Sequence, residues 1–130
     1  MPTKVAATAP VTPDTEDIFH MTNLSPRMTG LPMSVWASPR GNARHDVRIK
    51  VNMSHGNQMS IDNTAVVALR PRPRVIAGRL GSDDQRAIVD WIKLNYDAIV
   101  SYWDGQIDTG QFIERLNVLE AQKDYDNLNG

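Results

Sequence analysis

Residues 45–53, "HDVRIKVNM", decide how the chain is read. Val47, Ile49, Val51 and Met53 alternate with Arg48, Lys50 and Asn52, and side chains alternate across a strand, so one face is apolar and the other cationic. A strand with one oily face needs neighbours to pair with and a layer to cover it. The rest of the sequence is searched for both.

Pairing partners lie on either side. "LPMSVWAS", 31–38, alternates Met33, Val35 and Ala37 with Ser34, Trp36 and Ser38, and "PRGN", 39–42, reads as the turn that returns it toward residue 45. After a second turn at "SHGN", 54–57, "QMSID" predicts a short strand and "NTAVVAL", 63–69, a further one. "RPRPRV", 70–75, is extended and peripheral, because proline lacks an amide donor and pushes its predecessor toward β or polyproline geometry.

The covering layer is "GSDDQRAIVDWIKLNYDAIVSYWDG", 81–105. Ser82 and Gln85 have capping-box spacing, and Asp83 and Asp84 suit the positive end of a helix. Ile88, Val89, Ile92, Tyr96, Ile99, Val100 and Trp103 form one stripe, widened by Trp91 and Tyr102, with Leu94 off it and Gly105 ending it. "DTGQFIERLNVLEAQ", 108–122, repeats the capping logic through Asp108 and Gln111, with Phe112, Ile113, Leu116 and Leu119 on one face. The fold class is therefore α+β: a small, mainly antiparallel sheet of three or four strands packed against a long helix, with a second C-terminal helix beside it.

Residues 1–28, rich in Pro, Thr and Ala, read as a flexible tail in which "DIFHM" is a short apolar patch able to dock. Residues 29–122 form a single domain and 123–130 a frayed end. A chain of 130 residues suffices for one core. Its N-terminus has no secretory pattern and no segment has membrane-spanning character, so a cytoplasmic location is expected. The absence of cysteine excludes disulfides, thiolate nucleophiles and cysteine-held metals.

The net charge of −1 averages over segments of opposite sign. Residues 27–86 hold ten Lys/Arg against four Asp/Glu, and residues 87–130 hold three against eight. The candidate partner-binding residues fall in the basic part: Arg44, Arg48, Lys50, Arg70, Arg72 and Arg74. Guanidinium forks suit carboxylates and phosphates alike, so an acidic protein and a nucleic acid both remain open, beside ordinary solvated basic surface. Trp36 is the one nearby aromatic able to stack on a base.

Motifs for chemistry are sparse. His20, His45 and His55 have no partner at metal-ligand spacing, and neither a nucleophile elbow nor a glycine-rich phosphate loop occurs. "GRLGS" is only a glycine pair before a helix, and Asp83, Asp84, Asp104 and Asp108 are accounted for by helix ends. His45, between Arg44 and Asp46, is the candidate for a catalytic or ligand role, against a turn or surface role. No cofactor or metal is expected.

From "VWASPRGNARHDVRIKV", 35–51, through "RVIAGRLGSDDQRAIVDWIKLNYDAIVSYWDG", 74–105, the chain resembles a widespread family of small uncharacterised bacterial domains often encoded beside antitoxin-like partners. In that family a strand leads into an N-P-P-H-x-H turn, and a helix reads roughly R-x-x-x-V-x-x-W-x-x-L-H-x-x-E-L-x-x-x-W. The helix is similar through Arg86, Val89, Trp91, Leu94, Ile99 and Trp103, and the turn through Asn42 and His45. Ala43 and Arg44 replace the two prolines, and Val47 stands where the second histidine would be. The resemblance covers about half of the chain. It implies a compact α+β domain with a partner-dependent role in a toxin–antitoxin or phage-defence setting.

Three functions are carried forward. The preferred one is a non-enzymatic accessory or regulatory protein that binds an acidic partner protein through its basic sheet face. The alternative is nucleic-acid binding by the same face, and the third is a hydrolase centred on His45.

Overall fold

A computed structural model describes residues 21–120. Among the described residues five antiparallel strands lie in sequence order across one sheet: β1 Thr22–Leu24, β2 Val35–Ala37, β3 Arg48–Asn52, β4 Thr64–Ala68 and β5 Arg74–Ala77. Each pairs with its neighbour in the chain, as short connections favour. A one-turn helix, α1 Pro26–Thr29, follows β1, while α2 Ser82–Trp103 and α3 Thr109–Arg115 close the domain. The α+β class is as expected, with five strands instead of three or four.

The additional strand lies within the stretch read as a tail. Leu24 is fully buried and opposite Val35, and Thr22 shares a 2.7 Å hydrogen bond with the hydroxyl of Tyr102 on α2. Strands and helices of three and four residues are too short to show a period, which is why composition alone suggested a tail there. Residues 17–20 of "DIFHM" and the expected frayed end 123–130 lie outside the described residues.

Val47, Ile49 and Val51 are buried, together with Val35, Val67 and Leu69. They share one core cluster with Ile88, Trp91, Ile92, Ile99, Tyr102 and Trp103 of α2. The apolar face of "HDVRIKVNM" thus performs the role its alternation assigns it. Expected "QMSID" is no strand: the chain turns through a 3-10 segment, Ile61–Asn63, before β4.

The two helices depart from expectation at their ends. Gly81, not Ser82, occupies the N-cap of α2, with no side-chain capping bond, so the capping box read from Ser82 and Gln85 does not form. The box at Asp108 and Gln111 does form, with Asp108 Oδ1 accepting the Gln111 N–H at 2.8 Å and Gln111 Oε1 accepting the Asp108 N–H at 2.9 Å. Within α2, Asn95 leaves helical geometry at φ −117° and ψ 17° and is buried. Of the expected stripe, Val89, Tyr96 and Val100 are half-buried, while Trp91, Ala98 and Tyr102 are buried.

The α3 helix ends at Arg115, well before residue 122, and its buried anchor is Phe112, stacked on Tyr102 with centroids 4.4 Å apart. Ile113 is exposed. Residues 116–119 then run alongside α2 and reach α1, where the Leu119 N–H donates to the Thr29 carbonyl at 2.7 Å. Gly30, at φ +82°, permits this approach: a Cβ there would meet the Leu119 carbonyl oxygen. No helix of the described residues is long and apolar enough to cross a membrane.

Candidate functional site

The basic residues collect where β3 and β5 begin and β4 ends. Residues 38–46 form the approach to this corner, turning at Gly41 with φ +53° and closing through the Ala43 N–H to the Arg40 carbonyl at 2.8 Å. The Arg40 N–H donates to the Trp103 carbonyl at 2.9 Å, which fastens the turn to the C-terminal end of α2 and satisfies one of that helix's unpaired carbonyls. Arg44 is exposed on this turn.

His45 is half-buried with its ring 5.4 Å from that of Trp103, and its Nδ1–H donates to the Asp46 carbonyl at 2.9 Å. These contacts give the imidazole a packing role at the helix end. Among the described residues no group of three His, Asp or Glu side chains is close enough to hold a metal ion.

Asp46 receives a two-pronged contact from Arg70, Nε to Oδ2 at 2.8 Å and Nη2 to Oδ1 at 2.7 Å. The Arg70 guanidinium hydrogen-bonded to it, aided by the Val47 backbone N–H, lowers the Asp46 carboxyl to about 2. The same contact raises Arg70 above its ordinary value, with a further contribution from Tyr96 on α2. The two side chains are 54 % and 39 % exposed, so the pair fixes the β4–β5 turn against the start of β3 more than it stabilises the fold. Arg70 is therefore engaged within the chain.

Arg48, Ala68 and Arg74 stand in one row across three strands: Arg48 is opposite Ala68, and Ala68 opposite Arg74. Directly opposite residues share a face, so two guanidiniums flank a small alanine. Arg48 is half-buried, whereas Arg74 is exposed and donates Nη1–H to the Arg70 carbonyl at 3.1 Å. Arg72 is exposed on the turn between β4 and β5.

Lys50 corrects the expectation of a solvated cationic face. It is only 4 % exposed, in register between Trp36 of β2 and Val66 of β4, and Asn52 on the same face is equally buried. A lysine stem is apolar enough to pack against such neighbours. Alternation assigns a residue to a face but does not report what covers that face. Lys50 therefore leaves the candidate partner-binding set, and Arg44, Arg72 and Arg74 are its exposed members without an Asp or Glu partner among the described residues.

Two features escaped the sequence reading. Arg79 is exposed just beyond β5, after Gly78 at φ +77°, which extends the arginine series along "RPRPRVIAGRLG", 70–81, a stretch with four arginines and no acidic or aromatic residue. That compositional run was the available signal. Ile76, 47 % exposed, sits in the irregularity of the β4–β5 pairing, where Val66 and Val67 face Ala77 and Val75.

His55, read as a turn residue, contacts both carboxylate oxygens of Asp84 on α2 at 3.0 and 2.9 Å and is itself 61 % exposed. It borders an open groove of about 670 Å³ between α1 and residues 118–119. A contact between residues 29 positions apart leaves no local sequence signal. No family model matches the chain, and neither a curated protein nor a solved structure does.

Proposed function

We propose that the protein is a non-enzymatic accessory or regulatory protein that holds an acidic partner protein through the arginine-bearing segment 70–79, with Arg44 at its border. The observation that carries this reading is the exposure of Arg72 on the turn before β5, Arg74 on β5 and Arg79 just beyond it, at the margin of the sheet and in a stretch without a carboxylate of its own. Exposed guanidiniums present planar donor forks to carboxylates at little desolvation cost. The binding surface is thus the margin of the sheet, not the broad face that the alternation of β3 suggested. The family resemblance adds the toxin–antitoxin or phage-defence setting to this proposal.

The packing of His45 on Trp103 supports a non-enzymatic protein over a hydrolase centred on that residue. Nucleic-acid binding is the second reading, favoured by the arginines alone, since the 70–81 stretch supplies no aromatic for base stacking. The test is capture of the native partner by the wild-type chain and by an Arg72→Glu, Arg74→Glu variant, with proteins and nucleic acids identified in both. An acidic protein retained only by the wild type supports the proposal. Equal capture by both chains overturns it, and retention of nucleic acid alone replaces it with the second reading.

A further inference from the structure

We propose that β5 is a docking edge that takes an acidic, extended peptide segment as a sixth strand. The inference rests on the reading of segment 70–79 as an acidic-partner site and adds how that partner is held. Strand β5 ends the sheet order and pairs only with β4 among the described residues. Along an edge strand, half of the backbone N–H and C=O groups point away from the neighbouring strand and are open to another chain. Arg74, Ile76 and Ala77 are exposed and Val75 half-buried, so the strand is accessible along its length.

The surrounding side chains select the occupant. A second copy pairing through the same edge would bring Arg72, Arg74 and Arg79 of one chain beside those of the other, and like charges directly opposite each other are destabilising. An acidic strand turns the same positions into complementary pairs. Exposed Ile76, in the irregular part of the ladder, adds one apolar anchor among the guanidiniums. A nucleic acid offers no strand backbone to match the open amides and carbonyls, and the segment lacks the aromatics that bind bases by stacking.

The test uses the full chain and three probes: a peptide of alternating glutamate and valine, a peptide of equal length and charge interrupted by prolines, and a single-stranded oligonucleotide. Proline removes the amide donors and the extended pairing while leaving the charge. The inference expects the alternating peptide to bind roughly tenfold or more tightly than the interrupted one, and to slow hydrogen exchange at amides within residues 74–77. It expects Arg72→Glu, Arg74→Glu to abolish both effects. Equal binding of the two peptides without new protection in β5 overturns the docking edge and leaves the acidic-partner reading standing. Binding of neither peptide overturns both, and an oligonucleotide that binds more tightly than either peptide assigns the segment to nucleic acid.

Discussion

Asn95 and Asn117 hold each other as a strand pair does: Asn95 Oδ1 accepts the Asn117 N–H at 2.7 Å, and Asn95 Nδ2–H donates to the Asn117 carbonyl at 3.1 Å. The same amide nitrogen also donates to the Trp91 carbonyl at 3.1 Å, one turn back along α2. One buried side chain thus stabilises the break in α2 and fixes the segment that follows α3. Short polar side chains favour such local alternatives to regular helix.

Replacing Asn95 with Ala should cost about 1–3 kcal/mol, because it removes a buried bond to the Trp91 carbonyl and two part-buried bonds to the Asn117 backbone. The sharper readout is local. Hydrogen exchange at the Asn117 and Leu119 amides should accelerate in Asn95→Ala. Asn95→Asp keeps the acceptor for the Asn117 N–H but sets its second oxygen against the Trp91 and Asn117 carbonyls, so it should also lose protection at Asn117. Unchanged exchange at both amides in the alanine variant would show that residues 116–119 are held by other contacts.

Trp91 and Trp103 are both buried in the helix–sheet interface, yet the indole N–H of Trp91 has no hydrogen-bond partner among the described residues. Either tryptophan replaced by Ala should destabilise the domain by roughly 3–5 kcal/mol. Trp91→Phe should cost clearly less, since it removes an unsatisfied donor along with part of the ring volume. Urea unfolding of the three variants checks the order. A Trp91→Phe loss as large as that of Trp91→Ala would mean that the N–H is satisfied.

The ease with which these elements were legible follows from the length over which each signal repeats. The α2 helix spans six turns of periodic side chains, and the apolar half of β3 alternates through Val47, Ile49 and Val51, so both are visible without a structure. The Asp108–Gln111 box is a fixed spacing and is visible too. Asn95 is not, because its helical neighbours Trp91, Ile92, Ala98 and Ile99 place it on the apolar side while nothing local reveals the distant segment it grips. The burial of Lys50 and the contact of His55 with Asp84 are set by chain segments distant in sequence, and so is the engagement of Arg70 by Asp46. For the candidate site, the residue types were legible and their accessibility was not.

The Asp46–Arg70 pair makes a pH prediction with a definite sign. Asp46 is depressed from 3.8 to about 2, so its stabilising contribution is fully present above the unfolded value and is lost as pH falls from about 4 through about 2. Both groups are substantially exposed, which limits the effect to roughly 0–1 kcal/mol. Asp46→Asn should therefore be slightly less stable than the wild type at pH 7, with the gap closing as pH falls toward 2. A gap that widens on acidification would contradict the assignment. High salt should narrow it at neutral pH.

Lys50 and Arg72 should respond to the same charge reversal in opposite ways. Both are basic and both lie in the positively charged part of the sequence, but Lys50 is 4 % exposed within the row Trp36–Lys50–Val66, whereas Arg72 is exposed on a turn. A glutamate at position 50 must place its carboxylate among half-buried and buried neighbours, and burying a charge without an arranged partner is costly. Lys50→Glu should thus lower stability by roughly 2–4 kcal/mol, while Lys50→Met, which preserves the apolar stem, should be tolerated within about 1.5 kcal/mol. Arg72→Glu should leave stability within about 0.5 kcal/mol and act instead on capture of the acidic partner. Urea unfolding and partner capture, measured on the same three variants, separate a packing cation from a binding one. If Lys50→Met folded with wild-type stability yet lost the partner, Lys50 would return to the binding surface; if Arg72→Glu unfolded the domain, the arginine segment would be structural instead.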